Sequence, residues 1–157
     1  MALARIGVGS NVGDAVANVR RAIDELAALG TVAARSSLYR SEPWGVPEQP
    51  DFVNAAALLE TVLEPRALLA ALKAIEHRMG RGETQRWGPR VIDLDILAYD
   101  DLEMREPRLT IPHERLFERA FALAPLAEID PAFQAAYGRL PAEARASVHR
   151  ISTLRGG

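Results

Sequence analysis

The sequence predicts an α+β fold: a ferredoxin-like antiparallel sheet with packed helices, arranged in three layers, α/β/α. Three observations predict it. Strand-period and helix-period segments follow one another as β-α-β-β-α-β, not in the strict βαβα alternation of a doubly wound parallel sheet. The length of 157 residues suits one compact unit, so residues 1–157 are expected to form a single domain. No internal repeat, low-complexity stretch or linker interrupts it.

Leu3 to Val8 reads as the first strand and runs into the loop Gly9-Ser10-Asn11-Val12-Gly13-Asp14. Asp14 is placed to N-cap a helix whose apolar face is Val16, Val19, Ile23 and Leu26, and Gly30 to end it in a left-handed cap. Thr31 to Tyr39 is a second strand, followed by a Pro- and Gly-rich loop from Ser41 to Pro50. Phe52 to Leu63 is a third. Glu64-Pro65 opens a second helix with Leu68, Leu72, Ile75 and Met79 on one face, and Gly80 closes it. An irregular loop, Arg81 to Pro89, leads into a strand from Arg90 to Tyr99. Beyond it are expected a short extended piece near Leu109, a helix from Arg119 to Glu128, and another near Pro141 to Ile151.

Composition excludes several classes. With no cysteine there is no disulfide framework, thiolate nucleophile or zinc-thiolate site, which agrees with a reducing cytoplasm. Met1 to Arg5 carries no basic leader before a long apolar run, so no signal peptide is expected. No segment approaches the roughly 20 apolar residues that span a bilayer. A net charge of −2 gives no global attraction to nucleic acid or anionic membrane, so any bound anion needs a local basic cluster.

Such a cluster precedes a pair of carboxylates. In Asp93-Leu94-Asp95, strand alternation puts Val91, Asp93, Asp95 and Leu97 on one face and Ile92, Leu94 and Ile96 on the other. The two carboxylates then lie about 6–7 Å apart along the strand. Their repulsion fits either a solvated edge or a nucleotide-bound magnesium ion, which takes carboxylate and phosphate oxygens together. Arg81, Arg86 and Arg90 come just before, and guanidinium groups fork two hydrogen bonds onto phosphate. Cations for phosphates beside carboxylates for a metal is the layout of phosphoryl chemistry. Trp87 could stack on a heterocycle or pin the loop, and Phe52 and Phe121 are either platforms or core. Asn54 shares a strand face with Phe52 and offers a donor and an acceptor to a ring edge. His113 has no second histidine at ligand spacing, so zinc is not expected; it reads as a phosphate contact or a helix-start residue. Gly7-Val8-Gly9-Ser10-Asn11-Val12-Gly13 lacks the Gly-Lys-Ser/Thr ending of a P-loop and the G-x-G-x-x-G spacing, and reads as a tight turn.

In this order, six segments resemble the hydroxymethyldihydropterin pyrophosphokinase family. They are Gly9-Ser10-Asn11; Glu42-Pro43-Trp44-Gly45 running through Gln49 to Ala55; Arg86-Trp87-Gly88-Pro89-Arg90; Asp93-Leu94-Asp95-Ile96-Leu97; Leu109-Thr110-Ile111-Pro112-His113; and Arg119-Ala120-Phe121. The resemblance covers most of the chain from Ile6 to about Ile129. It implies diphosphate transfer from ATP to 6-hydroxymethyl-7,8-dihydropterin, with AMP as the leaving group, as a step of folate biosynthesis. It also implies Arg81, Arg90, Asp93 and Asp95 as catalytic residues, with Asp93 and Asp95 holding two Mg²⁺ ions. Glu76, Trp87, Arg90, Ile96, Arg108, Thr110, His113 and Arg119 would surround ATP. Pro43, Trp44, Phe52, Asn54, Trp87 and Phe121 would form the pterin pocket, the two phenylalanines sandwiching the ring. The implied partners are these small molecules alone, with no nucleic acid and no membrane, and the implied state is a cytoplasmic monomer.

The sequence departs from the family pattern in places. Glu83 stands where relatives often carry a second arginine, Glu114 where they often have an aromatic, and Phe52 where some have tyrosine; the loop after Arg81 is one residue shorter than in some. Weaker or slower ATP handling is expected from Glu83. Two other readings compete: a binding module that has lost catalysis, favoured only by Glu83, and an RNA-binding domain, for which the chain lacks aromatic strand motifs and a basic face.

Overall fold

The structure, a computed structural model, describes residues 1–41, 51–80 and 91–152. Its first strand, β1 (Ala2–Ser10), continues through Gly9 and Ser10, so the expected loop is confined to residues 11–14. The chain turns at Gly13, whose φ of 64° suits a residue without a Cβ. Asp14 then caps α1 (Ala15–Glu25), accepting the Ala17 N–H at 3.1 Å, and buries Val19 and Ile23 with Leu26 just beyond.

Gly30 does not end that helix in the left-handed region as expected; α1 runs out through a 3₁₀ turn at Leu26–Ala28. Glycine is needed there for a close approach. A Cβ on Gly30 would lie 2.0 Å from the Glu60 carbonyl oxygen. The anticipated strand from Thr31 to Tyr39 is two strands, β2 (Thr31–Arg35) and β3 (Leu38–Ser41). Ser36 bridges the break: its Oγ accepts the Ala56 N–H at 2.9 Å and donates to the Ser37 carbonyl at 2.7 Å, so neither backbone group is orphaned.

β4 (Phe52–Thr61) leads to α2 (Pro65–Arg78), with Glu64 accepting the Ala67 N–H at 2.9 Å and proline in the first turn. Gly80, at φ 92°, closes it as expected. β5 is Asp93–Tyr99; the expected start at Arg90 lies outside the described residues. The extended piece near Leu109 is a hairpin of β6 (Met104–Glu106) and β7 (Leu109–Ile111). Then come α3 (Ala120–Ile129), α4 (Gln134–Gly138) and α5 (Ala142–Ala146). The helix expected from Pro141 to Ile151 stops early, and Val148–Ser152 is a strand, β8, recruited by pairing with β3.

The main sheet is ordered β5-β1-β4-β3-β8, every ladder antiparallel, with β2 also pairing β4. One apolar cluster joins Val19, Ile23, Leu68, Leu72 and Ile75 of α1 and α2 to Ile6, Val8, Leu94 and Ile96 of the strands. A second joins Leu123 and Leu126 of α3 to Ala56 and Leu97. Since Leu97 alternates with Leu94 and Ile96, the two clusters draw on opposite strand faces. The class is therefore mixed α and β with an antiparallel sheet, and no helix among the described residues is long and apolar enough to cross a membrane.

Candidate active site

β5 is an edge strand of the sheet, and its N-terminal end carries the carboxylate pair. Leu94 is fully buried while Asp93 and Asp95, on the other face, are partly buried. Behind them Glu76 of α2, only 3% exposed, accepts the Leu94 backbone N–H at 2.7 Å. The bond satisfies an edge N–H and fixes the strand between the two aspartates. Lys73, one helical turn earlier, lies with Nζ 3.3 Å from Glu76 Oε1.

Charge dominates this corner. Desolvation, then the charge of Asp93 and also that of Glu76, push the Asp95 carboxyl from 3.8 up to about 7, against the pull of Lys73 and Arg119. Arg119 precedes α3, and its guanidinium carbon sits 5.4 Å from the centroid of the Phe121 ring. Burial draws the Arg119 pKa down, while Asp95 and Asp93 hold it up. His113 follows the cis Ile111–Pro112 peptide and donates its backbone N–H to the Leu97 carbonyl at 2.9 Å. Its Nδ1 accepts the Arg115 N–H at 3.3 Å, leaving the ring proton on Nε2. Burial and Arg119 lower its pKa, so the ring is neutral near pH 7. Asp93, Asp95, Glu76, Arg119 and His113, drawn from three parts of the chain, thus share one electrostatic site.

Asn54 lies two strands away on the same face. It pairs with Gly9, which pairs in turn with Asp93. Asn54 is 5% exposed and donates from Nδ2 to Ser41 Oγ at 2.7 Å. Phe52 shares its face at the start of β4. On the outer side, a cavity of about 460 Å³ is lined by Thr110, His113, Glu114, Arg105 and Phe117 among others. Arg108 is exposed between β6 and β7. Ile96 faces inward: its side chain is 3% exposed within the α1–α2 cluster, so only its backbone is available to a ligand. Pro43, Trp44, Arg81, Glu83, Arg86, Trp87 and Arg90 lie outside the described residues.

The donor chemistry fits magnesium carried by a nucleotide. Two hard carboxylate oxygens repel each other here, and no group of three or more His, Cys, Asp or Glu among the described residues forms a cage. A dication arriving with phosphate oxygens would complete such a site. Sequence reasoning missed Lys73; its spacing of three residues before Glu76 was the available signal.

The fold places the chain in a known structural class. It superposes on crystallised Plasmodium falciparum HPPK-DHPS with pteroate at a TM-score of 0.72, over 88% of this chain and 44% of that one, at 15% identity. The sequence is far closer to other relatives. The Methylorubrum extorquens 2-amino-4-hydroxy-6-hydroxymethyldihydropteridine pyrophosphokinase is 47% identical over 133 residues, 83% of this chain and 84% of that protein. The Aquifex aeolicus protein of the same name is 40% identical, over 83% of this chain and 82% of its own. In the pea mitochondrial folate synthesis bifunctional protein, the chain matches 24% of the length at 46% identity. The family described as 7,8-dihydro-6-hydroxymethylpterin-pyrophosphokinase (HPPK) matches residues 5–131, and the chain belongs to that family.

Proposed function

We propose that the chain transfers a diphosphate from ATP to the hydroxymethyl group of 6-hydroxymethyl-7,8-dihydropterin, releasing AMP, in folate biosynthesis. Membership of the pyrophosphokinase family supports the reaction. The observation that carries the chemistry is the Asp93–Asp95 pair at the sheet edge, where desolvation and then the charge of Asp93 raise the Asp95 carboxyl to about 7. The alcohol oxygen bonds to the β-phosphorus, the bond from that phosphorus to the oxygen bridging it to the α-phosphorus breaks, and the alcohol proton passes to solvent. Asp93 and Asp95 would hold two Mg²⁺ ions, whose charge would neutralise the triphosphate and make the hydroxyl more acidic.

The remaining roles belong to this chain's own residues. Glu76 holds β5, and so both carboxylates, in register. Arg119 and neutral His113 donate to phosphate oxygens, with Thr110, Arg108 and the Ile96 backbone lining the nucleotide side. Phe52 and Phe121 sandwich the ring while Asn54 bonds its edge. Pro43, Trp44 and Trp87 complete the pterin pocket, and Arg81 and Arg90 bring further positive charge. The three-layer, ferredoxin-like description, a single domain, a monomeric state and a cytoplasmic location belong to the same proposal.

The test is nucleotide analysis after incubating the protein with magnesium and ATP, with and without the pterin alcohol. Pterin-dependent AMP supports the reading. ADP would mean attack on the γ-phosphorus, and absent turnover with intact pterin binding would favour a binding module.

A further inference from the structure

The β6–β7 hairpin stands apart from the main sheet, as a two-stranded sheet of its own. Glu106 pairs with Leu109, so the two point to one face, and Leu109 is buried on that face in the cluster under α1 and α2. Glu106 ends β6, and there Arg66 of α2 meets it. Arg66 Nε donates to Glu106 Oε1 at 3.0 Å while Nη2 donates to Oε2, a two-pronged pair with side-chain exposures of 64% and 34%. A cation in the first turn of a helix lies against the helix dipole, so Arg66 does nothing for α2 itself. Glu64, the other acid beside it, is already engaged as the cap of that helix.

Deprived of Arg66, the Glu106 carboxylate has Arg108 at hand. The two flank Pro107 in the hairpin turn, and Cα atoms two residues apart lie at most about 7 Å from each other, within reach of two long side chains. Arg105, on the other side of Glu106, pairs with Thr110 and points to the opposite face. Arg108 is exposed and makes no ion pair among the described residues.

We propose that Arg66 is a positioning residue for the nucleotide: by occupying Glu106 with both prongs it keeps that carboxylate from capturing Arg108, whose guanidinium stays available to magnesium-ATP. This rests on the proposed function, in which Arg108 lines the nucleotide side. Exposed ion pairs are weak, so the clamp matters little to folding. Its effect on binding is bounded by the strength of one such pair, roughly 2- to 5-fold.

The experiment measures magnesium-ATP binding by calorimetry, without pterin, for Arg66→Ala, Glu106→Ala and the double variant. Arg66→Ala alone should bind roughly 3-fold more weakly, while Glu106→Ala and the double variant stay within about 1.5-fold of wild type. In an Arg108→Ala background, Arg66→Ala should weaken binding no further. A clamp that merely braces the hairpin would weaken all three variants alike, and that result would overturn the proposal. So would no loss for Arg66→Ala, or a further loss in the Arg108→Ala background. Wild-type protein that binds magnesium-ATP but makes no AMP with the pterin alcohol would sink the functional reading instead, and the binding comparison separates the two failures.

Discussion

Asp95 is held in a state that the fold itself disfavours. Its carboxyl is raised to about 7, first by desolvation and then by Asp93. Between its ordinary value near 3.8 and about 7, the unfolded chain has lost this proton while the folded one keeps it. Folding therefore takes up a proton over that window, and stability falls as pH rises through it. Asp95→Asn should raise the melting temperature of metal-free protein by a few degrees at pH 8 and by almost nothing at pH 4, read by thermal denaturation in a chelator. The same variant should lose AMP formation by a factor on the order of 10² or more, since charge stabilisation of the transferring group depends on the pair. A carboxylate also stands on the nucleotide side: Glu114 shares a cavity wall with Thr110 and His113. Glu114→Tyr removes that charge and adds a ring. We expect the KM for magnesium-ATP to fall roughly 3-fold or more, about 0.7 kcal/mol, with the pterin KM unchanged.

Among the elements, α3 matters most, because Phe121 and the preceding Arg119 lie at its start while its other end is tied to the sheet. There Glu128 accepts the Tyr39 hydroxyl at 2.6 Å, the Ser37 hydroxyl at 2.9 Å and the Ser37 N–H at 3.0 Å. Desolvation and that carboxylate push the Tyr39 hydroxyl pKa well above its usual value, so it remains a donor at every physiological pH. These bonds sit where β2 breaks into β3, and they explain how one helix is registered against a discontinuous edge. Tyr39→Phe should cost about 1.5–3 kcal/mol in urea denaturation, the ordinary loss for a hydrogen bond to a charged group. It should leave the KM for magnesium-ATP within 2-fold.

At the scale of the whole molecule, Arg5 of β1 reaches across to the segment after α3. Its Nε lies 2.8 Å from Asp130 Oδ2, with side-chain exposures of 13% and 9%, and its guanidinium carbon lies 5.7 Å from the Phe133 ring centroid. Asp130 also accepts the Ala132 N–H at 3.0 Å. This pair joins the first strand to the last third of the chain at the end of β1 opposite to the one beside Asp93. Removing one partner of a desolvated ion pair strands the other. Asp130→Ala should therefore cost about 3 kcal/mol in chemical denaturation while kcat changes less than 2-fold, and a large kcat loss would show that the clamp reaches the site.

Local chemistry was enough to read much of this protein from its sequence. Asp14 and Glu64 cap because a short acidic side chain before a helix finds free N–H groups within three residues. Strand alternation alone separated Asp93 and Asp95 from Leu94, and put Phe52 and Asn54 on one face. The motif series identified the family that the comparisons then showed. Other features depended on partners far away in the chain. Val148–Ser152 is a strand because β3 lies beside it, and Gly30 is needed because Glu60 passes 30 residues later in the chain. Lys73 joined the site only when α2 packed behind β5, and Gly9, expected in a turn, lies in a strand because β4 and β5 pair with β1 on either side of it. Periodicity and capping act within a few residues and are written in the sequence; strand registry and the clustering of charge are settled by packing, which only the folded chain decides.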